Sequence, residues 1–363
     1  MSDDLRKQML ERFLHAQRIL EPDAPDLRGK PTQPPPPLQL PEWKDYFACN
    51  ETVELPARSF RFNTYYTVPS RAAVAAARTV PVFVFHHGAG SSALTFAPLA
   101  RELSARLDGV CGVFAFDARG HGDSRPLPPC ETVDYALDAF VGDFHALLDR
   151  FLASQLASLP REKISLLLVG HSLGGSICSS LFARLAPPTR ERVVGLAMFD
   201  IVEEAAVLAL DKVDTFLAST PNSFRSMPEA VDWHVQHGLS KTRSSAAIAI
   251  PALFRQASSG EVVRKTDLQI FRPFWNTWFT GLSQRFVSLS TSKLLVLAGN
   301  DNLDRQLIIG QMQGKFQLVV FQMSGHFIQE DYPAKTALTL IDFWRRNDSK
   351  TVVIKTNWKK HDA

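Results

Sequence analysis

Leu166-Leu167-Leu168-Val169-Gly170-His171-Ser172-Leu173-Gly174-Gly175 runs from an aliphatic segment through G-x-S-x-G into a stretch compatible with a helix. The short apolar run, closed by glycine, reads as a buried strand. Gly170 and Gly174 remove side chains where a sharp strand-to-helix turn would make them collide. Ser172 is then held at the tip of the turn with its hydroxyl exposed. The start of the following helix and the Leu173 amide face any negative charge that develops beside it. The same five-residue pattern also occurs in ordinary glycine-rich turns, so the rest of the chain has to decide its meaning.

Working outward, Val80 to Phe85 is a fully apolar run that ends at His86-His87-Gly88-Ala89-Gly90, a buried strand meeting a glycine-rich turn. Val113 to Phe116 is another, closed by Asp117-Ala118-Arg119-Gly120-His121-Gly122-Asp123-Ser124. Phe60 to Tyr66 alternates as a strand, and Val193 to Phe199, Lys293 to Ala298 and Gln317 to Phe321 read as three more. Helical patterns occupy 93–107, 133–155, 176–186 and 334–345. Strands alternating with helices imply an α/β domain with a mostly parallel central sheet and helices on both faces. The segment from about 203 to 290 breaks this rhythm. It is largely helical and carries Phe216, Trp233, Phe271, Phe274, Trp275 and Trp278, as expected of a cap over the carboxyl ends of the strands. Residues 1–42, with Pro31 and Pro34 to Pro37, read as a proline-rich extension. Residues 43–348 form the domain, and 349–363 a C-terminal tail.

The 363 residues are 45% hydrophobic and 21% charged, which places the chain among ordinary globular proteins. A net charge of +3 is too small to argue for nucleic acid or an anionic membrane. Cys49, Cys111, Cys130 and Cys178 show no paired spacing, so neither a disulfide framework nor a metal site is expected. The charged start of the chain lacks the apolar core of a signal peptide, and no stretch reaches the length of a membrane span. The expected compartment is the cytoplasm or nucleus.

A serine hydroxyl needs a neighbouring base, and the base an orienting acid. On the α/β-hydrolase fold these follow in the order Ser, acid, His. His326, in Met323-Ser324-Gly325-His326-Phe327 after the last strand, fits the base better than the other histidines. Two carboxylates fit the acid. Asp200 ends one strand and Asp301 follows the next, with Asp304 close behind; spacing leaves the choice open, and the fold pattern alone leans to Asp301. Leu173 and Ala89 are the expected oxyanion-hole amides. Asp117, Arg119 and Ser124 are read as bracing their loop. No metal or cofactor is required by this chemistry.

Several stretches with no part in generic serine hydrolase chemistry carry a resemblance. They include Lys293 to Gly299, Leu303-Asp304, and Ile309-Gly310-Gln311-Met312-Gln313-Gly314-Lys315-Phe316-Gln317. Trp278 to Ser283, Trp43-x-x-Tyr46-Phe47 and Phe199 to Glu203 belong with them. Over about residues 43–346 the chain resembles the protein phosphatase methylesterases. That resemblance implies removal of a methyl ester from the C-terminal leucine of the protein phosphatase 2A catalytic subunit, and a triad of Ser172, Asp200 and His326 in place of the lean to Asp301. The glycine-rich run that the family often has after the first His-Gly is interrupted here by Ala89. Two other readings share the same residues: an esterase or lipase for small molecules, and a phosphatase-binding scaffold without turnover.

Overall fold

The computed structural model describes residues 40–299 and 302–349. All but the last three residues of the proline-rich extension read over 1–42, nearly all of the tail over 349–363, and Asp301 fall outside them.

Eight strands form one continuous path: β1 (Cys49–Leu55), β2 (Phe60–Thr67), β3 (Val80–His86), β4 (Gly112–Phe116), β5 (Ile164–His171), β6 (Val193–Phe199), β7 (Ser292–Ala298) and β8 (Gln317–Phe321). Their spatial order is β1-β2-β4-β3-β5-β6-β7-β8. β2 runs antiparallel to β1 and β4, and the pairs from β4 through β8 are parallel. This is the α/β-hydrolase arrangement. β1 was not legible as a strand because its residues are half-buried or exposed in alternation, with no apolar run to mark it.

Alternate residues of the central strands feed two cores. Val82, Val84, Leu166 and Leu168 pack with helices α2 (Leu137–Ser154) and α3 (Leu173–Arg184), through Phe140, Phe144 and Ile177. Phe83, Phe85, Leu167 and Val169 face the other way, against α1 (Ala97–Arg106) and α4 (Pro333–Asn347), through Leu99, Leu103 and Leu340. Both faces are covered, which is why these strands read as continuous apolar runs.

Register aligns the carboxyl ends that matter. His86 of β3 lies opposite Gly170 of β5, and His171 of β5 opposite Phe199 of β6. The turn after Gly88, Ser172 and Asp200 therefore leave three adjacent strands at one level.

One sequence expectation needs correction. α3 starts at Leu173 and not at Ser176, so Gly174 and Gly175 are helical despite their poor propensity. The segment between β6 and β7 combines its helices with short strands. It contains a small antiparallel sheet in which Val262–Arg264 pairs with Ser223–Phe224 on one side and Phe254–Gln256 on the other. Its aromatic residues mostly do not line a pocket. Phe271, Trp275 and Trp278 are buried in the α2/α3 core with Phe274 packed against it, and the Trp278 indole N–H donates to Tyr135 O at 2.8 Å. Among the described residues, no helix is long and apolar enough to cross a membrane.

β6 and α4 meet at Gly195, where an added Cβ would lie 2.4 Å from the Phe343 ring. Gly195→Ala is expected to destabilise the fold by about 1–3 kcal/mol in urea titrations. Trimming the ring, in Gly195→Ala/Phe343→Leu, is expected to return part of that loss; strictly additive losses would refute the packing account.

Candidate active site

The strand-to-helix crossing at Ser172 is possible only because three positions carry no side chain. A Cβ on Gly170 would lie 2.2 Å from the Gly174 carbonyl oxygen, and one on Gly174 would lie 2.0 Å from that of His86. A Cβ on Gly88 would lie 2.9 Å from the Cβ of Ser172, so the turn after β3 passes directly behind the serine. Ser172 itself has φ 52° and ψ −121°, a conformation costing about 1–3 kcal/mol. Its N–H donates to Phe199 O at 2.9 Å and its carbonyl accepts from Gly175 N at 2.8 Å, which hold it there.

Around the serine, the amides of Ala89 and Leu173 have no protein acceptor among the described residues. Leu173 opens α3, and Ala89 is exposed in the turn. The turn is shaped by two buried histidines. Gly90 N–H donates to His121 Nε2 at 3.0 Å, and Ala118 N–H donates to His87 Nε2 at 2.9 Å. Each ring must then carry its proton on Nδ1, which donates to Arg119 O in His121 and to Gly88 O in His87. Burial pushes both down to about 3, so both are neutral acceptors at ordinary pH.

Asp117 and Arg119 complete the brace. Asp117 accepts from Ala93 N, Asp123 N and Asn63 Nδ2 at 2.8–3.0 Å, and Ser124 Oγ donates to its carbonyl. Arg119 forms a two-pronged ion pair with buried Asp143 at 2.6 and 2.8 Å.

Across the site, Asp200 Oδ2 lies 2.7 Å from His326 Nδ1. Asp200 has φ 49°, and its other oxygen accepts from Ala298 N at 2.8 Å, so both lobes of the carboxylate are held. Asp304 does something else: it caps the helix Arg305–Met312 through Leu307 N and accepts from Ser283 Oγ.

The His326 loop is tied down twice. Asp331 Oδ2 accepts from Gly325 N at 2.6 Å, and His171 Nε2–H donates to the His326 carbonyl at 2.8 Å. His171, beside the serine, is buried. Its ring sits tilted against those of His326 and Phe327, with ring centroids at 4.6 and 4.9 Å. Burial holds it well below its ordinary pKa, which keeps its unpartnered Nδ1 free of a proton. The signal for this role was the pair of ring-bearing neighbours His171 and Phe327, visible only once the two loops are adjacent. Among the described residues, no group of three or more His, Cys, Asp or Glu side chains is arranged to hold a metal ion.

The sequence matches the alpha/beta hydrolase fold family over residues 81–333. Protein phosphatase methylesterase 1 of Candida glabrata is 59% identical over 317 residues, 87% of this chain and 81% of that protein. The Saccharomyces cerevisiae protein of the same name is 56% identical over 322 residues, 89% and 80% of the two chains. That of Schizosaccharomyces pombe is 38% identical over 312 residues, covering 85% and 86%. Among solved structures, an E-2-(acetamidomethylene)succinate hydrolase superposes with a TM-score of 0.62 at 19% identity, over 81% of this chain and 98% of that one, a likeness of fold alone.

The neutral imidazoles make the site acid-sensitive. Between about pH 6.5 and 3 the unfolded chain binds a proton at each of His87 and His121 that the folded chain refuses, so stability falls as pH falls. Each costs about 2 kcal/mol at pH 5 relative to pH 7. In urea titrations, His121→Asn is therefore expected to differ less from wild type at pH 5 than at pH 7, by about that amount. A gap that does not change with pH would refute the assignment.

Proposed function

We propose that this chain, which belongs to the protein phosphatase methylesterase family of α/β-hydrolases, hydrolyses the methyl ester on the C-terminal leucine of the protein phosphatase 2A catalytic subunit. The observation that carries the reading is the 56–59% identity to relatives bearing that name over almost nine-tenths of the chain. The 2.7 Å Asp200–His326 contact beside a serine held at positive φ supports the chemistry.

In this mechanism Ser172 is the nucleophile, His326 the base and Asp200 the acid that orients it. His326 takes the Ser172 proton as the hydroxyl attacks the ester carbonyl. The oxyanion rests on the Ala89 and Leu173 amides, each worth about 3 kcal/mol of barrier. Methoxide is a poor leaving group, so His326 returns the proton and methanol departs. The phosphatase tail remains as an acyl group on Ser172 until water, activated by the same imidazole, releases it as a free carboxylate. Asp200 keeps the Nδ1 proton in place throughout, which leaves Nε2 as the working nitrogen.

The test is incubation with carboxymethylated phosphatase 2A catalytic subunit. Wild type is expected to strip the methyl group and Ser172→Ala to leave it in place. Asp200→Asn is expected to lose about three to four orders of magnitude in kcat while Asp304→Asn loses far less. Turnover of small acyl esters with the methylated phosphatase untouched would favour the small-molecule reading instead.

A further inference from the structure

A cavity of about 90 Å³ lies beside the oxyanion turn, between Ala89 and Gly90 on one wall and Phe327 on another. The segment between β6 and β7 closes it with Phe216, Ile250, Leu253 and Leu268, a mainly apolar lining. Arg264, at the end of the central strand of the small sheet, also lines it.

Arg264 shares with Arg192, among the described residues, a buried Nε that has no hydrogen-bond partner. Its guanidinium makes no hydrogen bond to protein among the described residues; Nε is sealed from solvent, while the side chain as a whole is half-buried. Its guanidinium lies over the Phe254 ring, 4.9 Å from the centroid, which fixes its plane without neutralising it. Lys265, the next residue, is already paired with Asp123 at 2.8 Å.

The other titratable groups lining the cavity do not supply a counter-charge. Glu330 accepts from Thr95 Oγ1 at 2.6 Å, and burial pushes it up to about 8, so it is mostly protonated at neutral pH. His234 is pushed down to about 4 by burial and is neutral. Burial lowers Arg264 only to about 10, so it stays charged. The cavity therefore carries one positive charge in apolar walls, where an unpaired charge is costly and a matching anion is strongly favoured. Its volume suits a side chain of a few heavy atoms.

We propose that Arg264 and this cavity form a subsite for an acidic side chain of the substrate peptide, an aspartate or glutamate a few residues upstream of the esterified terminus. This rests on the reading of the chain as an esterase for a protein's C-terminal tail. The tail enters extended, its terminal carbonyl at Ser172, and the turn that carries Ala89 is shared by the oxyanion site and the cavity. A carboxylate that reaches Arg264 fixes the register of the chain before the serine attacks. Arg264 is thus a specificity residue and touches none of the reacting atoms.

The test uses the full chain and a set of hexapeptide methyl esters ending in leucine. Each carries one Asp at a single upstream position, matched by the same peptide with Asn. At one position wild type is expected to prefer Asp over Asn by about 10- to 100-fold in kcat/KM, with the difference in KM. Arg264→Met is expected to bring that ratio close to one, Arg264→Lys to keep part of it, and Lys265→Met to keep it whole. Labelling of Ser172 by a fluorophosphonate and a thermal melt report whether each variant is folded. The subsite is refuted if wild type shows no preference at any position, or if Arg264→Met, folded and labelled, retains it. If no peptide ester of either kind is hydrolysed while Ser172 still labels, the substrate reading fails, and the subsite falls with it.

Discussion

The contact on which the structure depends is the approach of α3 to the end of β3, where the Gly174 backbone sits against the His86 carbonyl. An added Cβ would stand 2.0 Å from that oxygen. No larger residue fits, and no other crossing of these elements would leave Ser172 at positive φ with the turn after Gly88 behind it. Everything in the site is measured from that point. The Leu173 amide is delivered because the helix must begin there. The Ala89 amide is delivered because Gly88 allows its turn to pass within van der Waals reach of the serine.

The second layer is made of histidines that do no proton transfer. His87 and His121 act as fixed acceptors for backbone N–H groups on facing loops. His171 donates to the backbone of His326. Each is useful because it is neutral, and burial makes it so. His326 differs from them in its place: it is a quarter exposed and held by a carboxylate that is itself part-exposed. Difference in burial separates the imidazoles that brace backbone groups from the one paired with Asp200.

Much of this was legible before any coordinates. β3, β4, β5 and β6 announce themselves because both of their faces are covered, and G-x-S-x-G marks its own turn. Other features were not legible for definite physical reasons. Asp200 follows β6 and Asp301 follows β7 in the sequence, and spacing does not say which meets His326; the contact of Asp200 with His326 joins residues 126 positions apart, which no local pattern reveals. Phe271 and Trp278 read as part of a cap because they lie in the insertion, yet they pack into the core with α2 and α3. β1 escaped notice because an edge strand with one wet face carries little apolar signal. Arg264 gave no signal at all: an arginine in a short alternating segment is ordinary until its neighbours are seen to offer it no partner.

The central claim is that the serine at this crossing carries a protein's C-terminus as an acyl group and passes it to water. The most direct test is to run the reaction with methylated phosphatase 2A catalytic subunit in heavy-oxygen water and weigh both products. The expected result is one heavy oxygen in the new C-terminal carboxylate and none in the methanol. Heavy oxygen in the methanol, or a terminus that keeps its methyl group, would contradict it.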